Sequence, residues 1–313
     1  MKLKTRHPFK WSALLLLILH LVAQGLVAYA EQKPDNRDKQ LVVAFSPQSF
    51  YNVDPRDASG AARVWINNAD HRLKSTTESK VIFFDTQLEM ESALARNNID
   101  ILVSIAEEFI QMRDTYKLSP VLSTDYGKNF YDELLLLVHS DSTITGVEQL
   151  RGKCLRIEVG QKGTVPMKWL NTILMSKTSG STREFFGSIS EFPKASQTIM
   201  PVFFGKCDAC IASRTSLETM TELNPQIGRK LRILERSPGF ATGIISVRKD
   251  ILNRRRDTMV EALRDINEDI KGKQVLTIFR INRLIPFRAE HLASLEKLLR
   301  GNRKSTRDRG RGN

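Results

Sequence analysis

Four nearly unbroken apolar runs stand out in the first half of the chain: Leu41–Phe45, Val81–Phe84, Ile101–Ile105 and a run opening at Glu133 and closing at Val138. Strands buried on both faces read this way, as in a parallel sheet covered by helices. Helical spacing fills the gaps. Asp54 stands as an N-cap before Pro55, and Asp57 lies three residues on. Such a start suits a helix whose inner face is Ala61, Val64, Trp65 and Ala69. A second helix spans Leu88 to Arg96 and stops near Asn97-Asn98. The order β-α-β-α-β predicts an α/β unit with helices against a parallel sheet.

A second unit follows. Val147 to Gly152 is a short helical turn, and Cys154 to Val159 alternates like a strand with one face partly exposed. The loop Gly160-Gln161-Lys162-Gly163-Thr164 then opens a helix, with Thr164 as its cap and Met167, Leu170 and Leu174 on one face. Ala195 to Met200 and Ser216 to Leu223 are helices, the second stopped by Asn224-Pro225. Cys207 to Ala212, Leu231 to Leu234 and Gly243 to Val247 are strands. Helical periodicity returns at Met259, Leu263, Ile266 and Ile270, and again at Ala289, Leu292, Leu295 and Leu299. Two α/β units put polar loops beyond the carboxyl ends of strands, where such sheets bind ligands. The loops in question are Ser46 to Asp54, Ser104 to Glu108, Gly160 to Thr164 and Asp208 to Thr215.

Composition is ordinary for a globular protein: 313 residues, 41% hydrophobic and 27% charged. The formal charge of +13 raises the question of a nucleic acid or membrane partner. Its location answers the question. Lys2, Lys4, Arg6 and Lys10 precede an apolar run from Leu14 to Val27, and Ala28-Tyr29-Ala30 ends it. That is the layout of a secretory signal peptide, cleaved after Ala30. A retained membrane anchor is the rival reading, since Trp11 to Ala30 is long enough to span a bilayer. His20, Gln24 and Gly25 weaken the run and favour cleavage. Residues 31–40 are expected to form a flexible leader, and residues 300–313 a basic, disordered tail of net +5. The body between them carries only about +4, no nucleic-acid-binding surface.

Three cysteines, Cys154, Cys207 and Cys210, leave at least one thiol unpaired. Cys207 and Cys210 have a CxxC spacing, but no second pair or flanking His completes a zinc set. Within a strand, residues three apart face opposite sides, so buried thiols without a stabilising disulfide are expected. His71, His139 and His291 show no ligand spacing. No metal site, cofactor site or nucleophile–base pair is legible, and no catalytic residue is assigned. Glu107-Glu108 suggests acid–base work, but adjacent side chains diverge, and a helix-start role is the stronger reading.

The segments Gly146-Val147-Glu148-Gln149-Leu150-Arg151-Gly152-Lys153 and Val202 to Cys210 carry a resemblance. So do Leu231 to Leu234, Ser237-Pro238 and Ser246-Val247-Arg248-Lys249-Asp250. From Leu41 to Leu299 the chain resembles the periplasmic phosphonate-binding-protein-like family of ABC-transporter solute receptors. The resemblance implies a type II periplasmic binding fold: two mixed sheets flanked by helices, in two lobes around a central cleft. Lobe one would be residues 41–137 and 247–299, and lobe two 138–246. The crossings would lie at Leu134–Val138 and Thr242–Val247, with ligand capture by hinge closure.

In this family a Ser- and Thr-rich loop before the lobe-two helix holds the phosphonate oxygens. Here that loop has no serine, and the family's His is replaced within Glu191-Phe192-Pro193-Lys194. A helix start still favours an anion, so the resemblance implies a small phosphonate, phosphate-like oxyanion or carboxylate. The candidate ligand-binding residues are Ser49, Tyr51 and Ser104 from lobe one, and Gln161, Lys162, Gly163, Thr164 and Asp208 from lobe two. Lys162 is a binding charge or a solvated loop residue; Asp208 is a cleft acid or a turn acceptor. The expected protein is a periplasmic monomer, not an enzyme, working with an inner-membrane ABC permease. A sensory module for a membrane kinase, or an enzyme on the same fold, is the other class left open.

Overall fold

The computed structural model describes residues 40–49, 55–74, 77–125, 131–160, 163–177, 181–249, 254–268, 270–279 and 281–309. In chain order the elements are β1 (Val42–Phe45), α1 (Pro55–Arg72), β2 (Lys80–Phe83), α2 (Gln87–Ala95), β3 (Ile101–Ile105) and α3 (Ala106–Met112). Then come β4 (Leu118–Asp125), β5 (Leu134–His139), β6 (Cys154–Glu158), α4 (Val165–Lys177), α5 (Thr182–Phe185), β7 (Ser188–Phe192) and α6 (Ala195–Phe203). The last are β8 (Ala209–Ser213), α7 (Arg214–Leu223), α8 (Pro225–Lys230), β9 (Leu231–Arg236), β10 (Gly243–Arg248), α9 (Arg254–Arg264), α10 (Ile270–Ile278), β11 (Arg283–Pro286) and α11 (Glu290–Arg309).

The strands form two mixed sheets. Sheet one has the order β11-β4-β10-β3-β1-β2, and sheet two β7-β6-β8-β5-β9. β1 pairs in parallel with β2 and β3, as the apolar runs predicted. β10 joins them antiparallel to β3, so the chain returns from sheet two to finish sheet one.

The sheet memberships correct the expected crossings. All of β5 pairs within sheet two, with β8 and β9. All of β10 pairs within sheet one, with β3 and β4. The chain therefore crosses between β4 and β5 and between β9 and β10, before β5 and β10 rather than inside them. Asp132 and Phe240 form an antiparallel bridge that ties the two crossings together. The Asp132 N–H donates to Phe240 O (3.1 Å), and the Phe240 N–H to Asp132 O (3.0 Å).

Hydrophobic burial follows the sheets. One cluster packs α1, through Ala62, Trp65 and Ile66, with α9 and α10, through Leu263 and Leu276, on one face of sheet one. A second covers sheet two with Ile199 and Val202 of α6. The third is shared: Phe109 of α3, Leu136 of β5, Leu170 of α4 and Leu295 of α11 all belong to it. The expected first helix is present and Pro55 does open α1, with Ala61, Trp65 and Ala69 buried, but Val64 is a correction: it is exposed, and Ala62 and Ile66 complete the inner face instead; Asp54 lies outside the described residues. The expectation of a disordered tail is corrected: α11 continues without a break past Leu299 as far as Arg309. The signal and leader segments, residues 1–39, also lie outside the described residues. Among the described residues no helix is long and apolar enough to cross a membrane.

The thiol expectation is overturned. Cys154 and Cys207 are joined by a disulfide, with Cα atoms 5.2 Å apart. β8 begins at Ala209, so Cys207 precedes the strand and is not bound by its alternation. β6 runs parallel to β8 with Leu155 opposite Ala209, which brings the two strand starts together. Cys210 remains a buried thiol.

Candidate functional site

The site is built where α3 and α4 begin. α4 follows β6, and the loop between them ends in Gly163 and Thr164. Gly163 has φ +53°, a conformation that favours glycine. A Cβ there would lie 2.5 Å from Glu107 Oε2, 3.0 Å from Gln48 Oε1 and 3.1 Å from Ile105 Cδ1. The loop of sheet two thus touches the end of β3 and the first loop of sheet one.

A carboxylate already occupies the start of α4. Glu107 Oε2 accepts the Thr164 N–H (2.8 Å), and Oε1 accepts the Thr164 hydroxyl (2.5 Å). Lys168, one turn further along α4, pairs with Oε1 as well. Gln111 Nε2 adds a donor at 3.3 Å. Glu107 is only 4% exposed. A helix start offers unpaired N–H groups and partial positive charge, and the Lys168 ammonium adds a full charge. The combination seats a carboxylate of α3 on donors from α4.

Glu108 does the work expected of a helix start. Its Oε2 accepts the Ile105 N–H at 3.3 Å. Burial pushes its carboxyl above the ordinary range, against the lowering effect of the Ser46 hydroxyl and the Ile105 N–H. The expectation that the two acids serve the helix start therefore holds for Glu108, while Glu107 reaches across the cleft. At the other helix start facing this region, Glu158 accepts the Ser213 N–H (3.0 Å) and the Ser216 hydroxyl (2.6 Å) at the beginning of α7.

Beside the seat lies a small cavity of about 40 Å³, lined by Phe45, Ser49, Trp65, Ser104, Ile105 and Thr242, among others. It is mostly apolar, but Ser104 lines it, and its buried hydroxyl has no hydrogen-bond partner among the described residues. Gln48 Oε1 and Glu108 Oε1 are likewise buried without one. Ile105 both lines this cavity and abuts Gly163, so cavity and seat adjoin.

The family model for the periplasmic substrate-binding protein of phosphonate ABC transporters matches residues 71–292. The chain belongs to this family. Its members are periplasmic transport components that bind small ligands and work with ABC permeases. Among solved structures, XAC2383 from Xanthomonas citri bound to ATP is 15% identical, with a TM-score of 0.65 over 85% of this chain and 98% of that one. A binding protein component of an ABC phosphonate transporter from Pseudomonas aeruginosa is 12% identical, with a TM-score of 0.63 over 86% and 88%. PhnD1 from Prochlorococcus marinus in complex with methylphosphonate is 15% identical, with a TM-score of 0.60 over 85% and 99%. These likenesses establish the type II periplasmic binding fold. No curated protein matches the chain in sequence.

The expected site residues fall into four groups. Gly163 and Thr164 stand where Glu107 meets the start of α4. Ser49 and Ser104 lie on the sheet-one side, lining the adjoining cavity; Ser49 donates to Val103 O at 3.0 Å and shares a hydrogen bond with Ser46 Oγ at 2.8 Å. Tyr51, Gln161 and Lys162 lie outside the described residues. Asp208 is a correction. It precedes β8, at the opposite end of sheet two from Thr164, and the cleft end of that strand is Ser213. Its carboxylate accepts the Cys154 N–H (2.9 Å) and pairs with Lys153 (3.6 Å), holding the start of β6 beside the disulfide.

The part that two residues play at the start of α4 escaped sequence reasoning. Lys168 sits four residues after Thr164, the spacing that stacks side chains on one helix face, so its place was recoverable once Thr164 was assigned. Glu107 had no such signal, because its partners are 57 and 61 residues away. Among the described residues no cluster of three or more His, Cys, Asp or Glu side chains is arranged to hold a metal ion.

Proposed function

We propose that the chain is a periplasmic solute receptor that takes a small anion at the start of α4 and delivers it to an inner-membrane ABC permease. One observation carries the reading: a buried carboxylate is held there by the Thr164 N–H, the Thr164 hydroxyl and Lys168. A site that holds Glu107 in this way suits the oxygens of a phosphonate, a phosphate-like ion or a carboxylate. Gly163 lets an anion approach the backbone. Ser104 and Ser49 would face the ligand's remaining part from sheet one, with Tyr51, Gln161 and Lys162 in the adjoining loops. The relative from Prochlorococcus marinus, in complex with methylphosphonate, supports the phosphonate class as the first to try. The exported form begins at Glu31 in this reading and works as a monomer.

The test is calorimetry and thermal shift on residues 31–313 with methylphosphonate, phosphate, sulfate, acetate and a cationic amine. Saturable binding of at least one anion is expected. Binding of the amine alone refutes the anion reading.

A further inference from the structure

We propose that Glu107 is a built-in competitor for the ligand, a carboxylate that the entering anion must displace and that thereby sets the receptor's affinity threshold. This inference rests on the anion reading of the α4 start. Both oxygens of Glu107 are committed to α4: Oε2 to the Thr164 N–H, and Oε1 to the Thr164 hydroxyl and Lys168. The start of α3 does not need Glu107, since Glu108 serves it. Gly163 leaves the space: any side chain there would meet Glu107 Oε2.

The rest of α4 is held toward the same side of the cleft. Asn302 of α11 donates to Lys168 O (3.1 Å) and to Thr172 Oγ1 (3.2 Å). α11 is in turn fixed to α3 through Arg113 and Glu296, 2.6 Å apart. The protein thus makes, with its own carboxylate, the contacts that an anion would make on closing the cleft.

The consequence is quantitative. A ligand's apparent dissociation constant is its intrinsic one divided by the fraction of molecules in which the seat is vacant. A tethered group competes at an effective concentration that reaches the millimolar range. A free monocarboxylate forms the same bonds as Glu107 and gains little by the exchange. An anion with a third oxygen or a second charge gains more from Lys168 and the helix start. The plug scales every ligand by one factor, so anions of low intrinsic affinity are left unbound at ordinary concentrations.

That common factor is the signature to measure. Glu107→Gln keeps the size of the side chain but loses the charge paired with Lys168. Glu107→Asp keeps the charge but withdraws it by one methylene, and serves if the first variant folds poorly. Calorimetry with methylphosphonate and with acetate should show both binding more tightly by the same factor, at least about tenfold, which is about 1.4 kcal/mol. Unchanged or weakened binding by a folded variant would overturn the proposal and leave Glu107 as a closure contact. A gain that is larger for the dianion would also overturn it, in favour of simple charge repulsion. Absence of anion binding by the wild type and by both variants would defeat the anion reading itself, and this proposal with it.

Discussion

Removing the disulfide is the sharpest test of how the second sheet is held. Cys154 and Cys207 are 53 residues apart and clamp the starts of β6 and β8. The enclosed segment contains α4, β7 and α6. In the chain-entropy account, cross-linking a loop of that length destabilises the unfolded chain by about 4 kcal/mol at 25 °C. For a body of this size each kcal/mol shifts the melting point by roughly 2–4 °C. Cys154→Ser combined with Cys207→Ser should therefore lower Tm by roughly 8–16 °C, followed by circular dichroism. Wild type in excess reductant should approach the variant. Cys210 offers an internal check. Burial pushes its thiol far above the ordinary range, so it stays protonated and inaccessible. Thiol titration should count none in the native protein, one after unfolding without reductant and three after reduction. A Tm within about 2 °C of wild type in the double variant would refute the reasoning.

Two further outcomes separate structure from binding. Asp208→Ala removes the acceptor of the Cys154 N–H and the partner of Lys153, and should cost roughly 1–2 kcal/mol in urea unfolding; weakened anion affinity at unchanged stability would return Asp208 to the site. Glu108 governs a pH effect: burial raises its carboxyl in the folded protein above the ordinary value of 4.5. As pH rises through 4.5 the unfolded chain loses this proton first, so the contribution of Glu108 makes stability fall with rising pH until the folded group ionises too. Glu108→Gln should remove that component, and urea midpoints that change with pH identically in both proteins would disprove it.

The elements that sequence periodicity revealed are those whose environment is uniform. β3 and β5 are buried along nearly their whole length on both faces, so their residues are apolar but for Ser104 in β3 and His139 at the end of β5. α1 declares itself through Pro55 and a regular inner face. β4 was not legible, because it carries Ser119, Pro120, Ser123 and Thr124. Pro120 lacks an N–H, yet it fits beside the register shift between Ile245 and Ser246 on β10, where the ladder is already irregular. β7 and β11 are sheet edges, paired on one side only, and need few apolar residues.

At the site, the helix start after Gly163 was readable, because a glycine turn before a periodic apolar face is a local signal. Its occupant was not: the Thr164 hydroxyl, expected as a cap, donates to Glu107. Glu107 meets Thr164 only because sheet one and sheet two bring the ends of β3 and β6 together. The pairing of Cys154 with Cys207, and the place of Asp208 beside them, follow in the same way from the parallel register of β6 and β8. Hydrophobic period and helix caps act over a few residues, and the sequence alone determines them. Contacts between groups more than fifty residues apart depend on strand register and on how two sheets pack, and only the tertiary structure decides those.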